Sequence, residues 1–198
     1  MDKSNGYDHI ATTFAAIRSE RDIGVSAVRK WVRSLAPDSA VLDLGCGTGI
    51  PISRALIEEG MNVYGIDASP SLVNIFRENF PGVPVACEAA EDSSFFNRKF
   101  DGIVAWGLIF LVPKDTQIKL IQKAAAALKS GGKLLFTAPL QQTEWNDVLT
   151  GEISLSLGTE GYREVLSASG LALIEEFDDD GENHYYNALK FECPFVGE

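Results

Sequence analysis

The sequence predicts an α/β fold, a doubly wound and mostly parallel sheet with helices on both faces. Two observations carry that expectation. From residue 40 onward, short apolar runs bounded by glycine, proline or aspartate alternate with helical periods, the pattern of successive βαβ units. The first of those runs, in "AVLDLGCGTGIP" (40–51), breaks into glycines at alternate positions, and the first strand–helix turn is where doubly wound sheets bind ligands.

The elements follow in order. Two helical segments, about 8–19 and 22–35, precede the first strand, and on the first Tyr7, Ala11, Phe14 and Arg18 share one face. Ala40–Gly45 is a buried strand, and "GIPISRALIEEG" is a helix with Pro51 in its first turn and Gly60 as its stop. "NVYGID" (62–67) is a second strand. A helix capped by Ser69, with Pro70 in its first position, runs to about Asn79. "VPVACEA" (83–89) and "FDGIVAWG" (100–107) are two more buried strands. "DTQIKLIQKAAAALKSGG" is a helix capped by Asp115 and closed by Gly131, with Ile118, Ile121, Ala125 and Leu128 on one stripe. "KLLFTAP" (133–139) is the fifth strand. Residues 141–158 show no clean period and are expected to form an insertion at the strand ends. A helix near 160–169 leads into two strands joined around Asp180-Gly181, which such a tight connection makes antiparallel.

Composition narrows the function classes. The longest stretch without a charged residue is the twelve residues Gly102 to Pro113, short of the roughly 20 that cross a bilayer. No basic region followed by an apolar core opens the chain, so a cytoplasmic protein is expected, with no membrane partner. A net charge of −11 opposes binding to a phosphate backbone. The basic residues Arg29, Lys30, Arg33, Lys114, Lys119 and Lys123 sit on helices without interleaved aromatics and are expected to be solvated. A small-molecule substrate fits better than nucleic acid. Cys46, Cys87 and Cys193 are odd in number and far apart, which argues against a disulfide framework or a zinc site. No other metal-ligand cluster appears, so no metal is expected.

The glycine loop needs a ligand. Its spacing is G-x-G-x-G over Gly45, Gly47 and Gly49, with Ile50 where a dinucleotide fingerprint has its third glycine. No G-K-[ST] ending follows, which excludes a P-loop. Asp67 ends the second strand 18 residues past Gly49, where a carboxylate can accept both hydroxyls of a ribose. The two features together point to a nucleoside without a pyrophosphate.

"VLDLGCGTG" with "GIDASPSLV" resembles the class I S-adenosylmethionine-dependent methyltransferases, and the resemblance continues through "AAEDSSF", "FDGIVAWGLIFLV" and "LKSGGKLLFTAP", about residues 38–140. It implies a seven-stranded sheet of order 3-2-1-4-5-7-6 with the last strand antiparallel. It also implies one methyltransferase domain over 1–198, with N-terminal helices as a lid (1–36), a cofactor-binding core (37–140), and an acceptor-side insertion and closing hairpin (141–198). The cofactor it implies is S-adenosylmethionine and the product S-adenosylhomocysteine.

In the family the loop matching Gly45, Cys46, Gly47, Thr48 and Gly49 lends its backbone to the methionine part of the cofactor. Asp43 faces the ammonium, Asp67 the ribose and Ala68 the adenine, while Ala90 and Glu91 match the adenine edge. The family often has Asp where this chain has Ala89, which leaves Glu91 or Glu88 to make the amino-group contact, or the contact absent. Trp106 follows the fourth strand, where the family lines the methyl-transfer path and an aromatic face suits a sulfonium; core packing is the alternative. Tyr7 and Arg18 resemble lid residues that cover the cofactor and meet its carboxylate, the alternative being a helix packed on the sheet with Arg18 in solvent. Trp145 and Asn146, after the fifth strand, are candidates for the acceptor pocket, or belong to a cap without direct contact.

Methyl transfer to a ready nucleophile needs alignment and water exclusion, and a general base only for an acceptor that starts protonated. His184, at the start of the final strand, is the candidate base, with a surface or hydrogen-bonded histidine as the alternative; His9 is expected on a helix surface. Two other functions stay open: a nicotinamide-dependent oxidoreductase, disfavoured by Ile50, and a non-catalytic cofactor-binding module.

Overall fold

A computed structural model describes residues 3–19 and 22–191. Cys193 lies outside the described residues. Helices α1 (Ala11–Ser19) and α2 (Val25–Val32) precede β1 (Ala40–Leu44), α3 (Ile52–Glu58), β2 (Asn62–Asp67), α4 (Pro70–Asn79) and β3 (Val85–Cys87). After β4 (Phe100–Ala105) and α5 (Lys114–Ala127) come β5 (Leu128–Thr137), β6 (Gln142–Asn146) and β7 (Ile153–Leu157). Helix α6 (Gly158–Ala168) and the strands β8 (Leu171–Asp178) and β9 (His184–Lys190) end the described chain.

Among the described residues seven strands form one sheet in the order β3-β2-β1-β4-β5-β9-β8. Strands β1 to β5 pair in parallel, and β9 enters antiparallel between β5 and β8. With the separate β6–β7 hairpin set aside, this is the expected order 3-2-1-4-5-7-6. Alternation along each strand divides the core. Leu42, Leu44, Ile103, Leu134 and Phe136 face α5 and α6, whereas Val41, Val63, Val104, Leu135 and Tyr185 face α2 and α3.

Local chemistry explains the helix starts. The Ser69 hydroxyl accepts from the Leu72 amide at 3.1 Å and Pro70 occupies the first turn, as expected. Pro51 stands one position before α3, and Gly60, at φ 79°, follows that helix's end. Asp115 is not the cap of α5: Pro113 precedes the helix and Asp115 lies in its first turn, where its charge meets the positive end of the helix dipole.

Other boundaries differ from expectation: α1 starts at Ala11 instead of about 8, and α2 spans Val25–Val32 instead of 22–35. Strand β3 shrinks to three residues because only Val85–Cys87 pair, with Gly65–Asp67 of β2. Helix α5 stops at Ala127 instead of running to Gly131, since Leu128 already pairs with Phe100; the register then shifts, and pairing resumes at Gly102 and Lys133. Residues 142–157 form the hairpin β6–β7, whose period was hidden because β6 is mostly exposed. The buried Gln117 ties this hairpin down. Its amide donates to the carbonyls of Val112 and Leu155, and its oxygen accepts from the hydroxyl of the buried Tyr162 on α6.

The basic helix faces are only partly solvated. Arg29 of α2 pairs with Glu58 of α3, and Arg33 just after α2 with Glu59 just after α3. Lys123 is half-buried and donates to the carbonyls of Ala90 and Glu91 at 3.1 and 3.0 Å, which makes it a clamp on the β3–β4 connection. No helix among the described residues is long and apolar enough to cross a membrane.

Leu42 is fully buried on the middle strand β1. Leu42→Ala is expected to destabilise the fold by about 2–5 kcal/mol. Urea unfolding should show a lower midpoint with an unchanged slope.

Candidate functional site

A cavity opens at the carboxyl ends of β1, β2 and β4, under the N-terminal segment. Its floor is the β1–α3 loop. Gly45, Gly47 and Gly49 have φ of 71°, 53° and 79°, the left-handed region that disfavours other residues. The amides of Gly45 and Cys46 donate to the Ile66 carbonyl at 2.8 and 3.1 Å, and the Gly47 amide to Asp67 Oδ2 at 2.8 Å. Three successive amides therefore turn toward β2. A phosphate-binding loop aims such amides at its ligand, so this loop presents a close-approach surface and not an anion nest.

Two carboxylates flank it. Asp43 is buried, its Oδ2 accepting from the Ser53 hydroxyl of α3 at 2.6 Å. Burial pushes its carboxyl up to about 7 against the pull of that hydrogen bond, with the charge of Asp67 adding to the rise. Asp67 accepts the Ser69 amide on Oδ1 and the Gly47 amide on Oδ2, and burial raises its carboxyl despite both bonds. An ionised carboxylate offers about four acceptor positions, so roughly two remain for a ligand.

Of the residues singled out in the sequence, Tyr7, Arg18, Asp43, Gly45, Cys46, Gly47, Asp67, Ala68, Ala90, Glu91 and Trp106 all line this cavity. Thr48 and Gly49 do not. Thr48 is buried, and its carbonyl accepts from the Asn79 side chain of α4. A Cβ on Gly49 would overlap the rings of Phe76 and Phe80, so this glycine serves the packing of α4.

Trp145 and Asn146 are also outside the wall. They lie on β6, where the Trp145 ring packs on Phe110 at 5.5 Å and Asn146 is exposed. His184 is outside as well. Strand alternation sends Tyr185 toward Trp106 and His184 toward Tyr186, on the α5–α6 side of the sheet. There its Nδ1 meets Asp178 at 2.8 Å.

The N-terminal segment is tied over the cavity at several points. The Asp8 carboxylate accepts from the Ser69 hydroxyl at 2.6 Å and the Ser71 amide at 2.9 Å, which holds its carboxyl below the ordinary value. It thus caps the positive end of α4. The Tyr7 hydroxyl donates to Asp147 Oδ2 at 3.2 Å, reaching the loop of the β6–β7 hairpin. Lys3 meets Glu91 at 2.7 Å. The Arg18 guanidinium lies 4.2 Å from the Trp106 ring centroid and 5.2 Å from that of Phe14. Asp8 and Asp147 carried no signal in the sequence, because each acts on a partner more than 60 residues away. Phe14 shares the stripe of Tyr7 and Arg18, whereas Leu108, Leu111 and Val112 enter the wall from the turn after β4.

Residues 41–132 match the family described as "Methyltransferase domain". A solved structure of the CcbJ methyltransferase from Streptomyces caelestis superposes with a TM-score of 0.76 at 19% identity, covering 97% of this chain and all of that one. The described chain shares the fold of that methyltransferase. Another similar fold is the magnesium protoporphyrin IX methyltransferase of Synechocystis, solved with bound S-adenosylmethionine, at TM-score 0.73 and 17% identity over 96% of this chain and 97% of that one. In sequence, the chain is 36% identical to the ubiquinone biosynthesis O-methyltransferase of Coxiella burnetii over 101 residues, 49% of this chain. The chain spans 42% of the length of that curated relative.

The loop geometry separates packing glycines from cavity glycines. Gly49→Ala is expected to cost about 2 kcal/mol or more through overlap and strained backbone, while Gly47→Ala, whose Cβ would meet only Phe14 at 3.4 Å, costs about 1. Thermal unfolding of the two variants side by side checks the order.

Proposed function

We propose that this chain is an S-adenosylmethionine-dependent methyltransferase acting on a small-molecule acceptor. The observation that carries the reading is the Gly45–Gly47 backbone with its amides turned into β2, set in one cavity between Asp43 and Asp67. A phosphate-free nucleoside with an amino-acid tail has a diol, an ammonium and a carboxylate, and the cavity offers a partner for each. The side-chain nitrogen of Asn5, another wall residue, is buried without a partner and adds a donor for such a ligand.

In this reading the donor supplies a methyl group on a positively charged sulfur, ready for in-line displacement. Asp67 accepts from the ribose hydroxyls, and Asp43 holds the ammonium beside the Gly45–Cys46–Gly47 backbone. Arg18 meets the carboxylate, Ala68 and Ala90 flank the adenine, and Glu91 borders it in place of the acid missing at Ala89. Thr48 and Gly49 brace the loop from behind. Tyr7, Phe14 and Trp106 keep water from the reacting atoms, and their aromatic faces favour a cationic sulfur. Trp145 and Asn146, outside the cavity wall, belong to a cap on the acceptor side without direct contact. His184 stands away from the cavity, which supports an acceptor that reacts without a histidine base. Residues 1–36 act as lid, 37–140 as cofactor core, and 141–198 as the acceptor side.

Titration of the purified protein with S-adenosylmethionine, S-adenosylhomocysteine and NADH tests the cofactor, and transfer of labelled methyl to a metabolite panel tests the reaction. Binding of NADH alone would overturn the reading. Asp67→Ala is expected to weaken S-adenosylhomocysteine binding about tenfold or more, and Arg18→Ala by several-fold.

Binding should also depend on pH. An ammonium favours the ionised form of Asp43, whose carboxyl in the free protein titrates at about 7. Below that value the ligand must displace a proton. Affinity for S-adenosylhomocysteine is therefore expected to fall by up to about tenfold per unit as pH drops from 7 and to level off above it. Calorimetry between pH 5.5 and 8.5 measures this, and Asp43→Asn should flatten the slope.

A further inference from the structure

Trp106 enters the cavity wall immediately after β4, and its indole carries one polar handle, the Nε1–H. That hydrogen is donated to the hydroxyl of Tyr185 at 2.7 Å, and Tyr185 in turn donates to Asp179 Oδ2 at 2.7 Å. The other oxygen of Asp179 accepts the amides of Gly181 and Asn183 at 2.9 and 3.0 Å and the Asn183 side chain at 3.0 Å. A directed chain thus runs from the tight β8–β9 turn to the wall of the cavity.

Packing alone does not require this chain. Tyr185 is fully buried and its ring stacks on Phe177 at 4.8 Å with planes 3° apart, a contact phenylalanine would make equally well. Burying a hydroxyl, an indole N–H and a carboxylate oxygen costs stability unless each is paired, so the chain's distinct contribution is direction. The main chain leaves room for it: a Cβ on Gly24 would stand 2.7 Å from Trp106 Nε1 and 3.0 Å from the Tyr185 hydroxyl. Burial, reinforced by Asp179, raises the phenol above its ordinary range, which keeps its proton in place as the donor.

We infer that Tyr185 and Asp179 are positioning residues that fix the plane of the Trp106 indole, and through it the seat of the methyl donor. The inference rests on the reading of the cavity proposed above. Neither residue touches the cavity; both act through Trp106, whose other neighbour, the Arg18 guanidinium, lies over the ring that they orient.

The test is Tyr185→Phe, followed by the indole N–H resonances of the chain's three tryptophans and by calorimetric titration with S-adenosylhomocysteine. Trp106→Phe assigns the Trp106 signal. In Tyr185→Phe that signal is expected to move upfield while those of Trp31 and Trp145 stay in place, and the ligand to bind about tenfold more weakly. Asp179→Asn, which keeps an acceptor oxygen, should lose less affinity than Asp179→Ala. This pair carries the test if Tyr185→Phe fails to fold. An unmoved Trp106 signal, wild-type affinity in Tyr185→Phe, or equal affinities in the two Asp179 variants would overturn the inference alone. Wild-type protein that binds neither S-adenosylmethionine nor S-adenosylhomocysteine would overturn the reading of the cavity, and this inference with it.

Discussion

The amides of Gly45, Cys46 and Gly47 all donate to the end of β2, two to the Ile66 carbonyl and one to the Asp67 carboxylate, and the cavity is organised around that junction. It bends the chain sharply after β1 and lets the backbone face the ligand without side chains in between. The same bonds orient Asp67, which is held from its other oxygen by the Ser69 amide at the start of α4. One junction therefore sets the floor of the site, the direction of the Asp67 carboxylate and the start of the next helix. Glycine is needed because the turn requires positive φ at alternate residues.

Around that floor, side chains of both signs line one cavity. Burial raises the carboxyls of Asp43 and Asp67 despite the donors each already has, so a cation beside either would favour its ionised form. Arg18 and Lys3 line the same cavity, Arg18 over the Trp106 ring and Lys3 against Glu91. A net charge of −11 over the whole chain coexists with a site that holds both signs, which suits a zwitterionic ligand and disfavours a polyanion.

The N-terminal segment links the two sides of the site. Asp8 fastens it to α4 beside Asp67, and Tyr7 reaches Asp147 in the loop of the β6–β7 hairpin. Asp147 is itself committed to that loop, accepting from the Leu149 and Thr150 amides on its other oxygen. Covering the cavity and shaping the hairpin thus depend on shared groups. A change at the hairpin would be felt under the N-terminal segment without any direct contact with the floor.

By itself, the sequence determined the strand–helix alternation, the glycine turn, Asp67 and the cap at Ser69. All of these depend on near neighbours: periodicity, positive φ and the first turn of a helix are local properties. It also placed Tyr7, Phe14 and Arg18 on one stripe. The β6–β7 hairpin escaped, because an exposed strand needs no apolar period, and the early start of β5 escaped because pairing with Phe100 overrides the helix that the alanine run favours. Lys123 looked like a surface cation and is a clamp on the loop of Ala90 and Glu91. Only the tertiary structure could decide which side of the sheet His184 faces, that Gly49 serves packing, and that Asp8, Asp147, Tyr185 and Asp179 hold the site together. Each of those assignments depends on the strand order and on which residues alternate toward the cavity, and neither is written in the residues beside them.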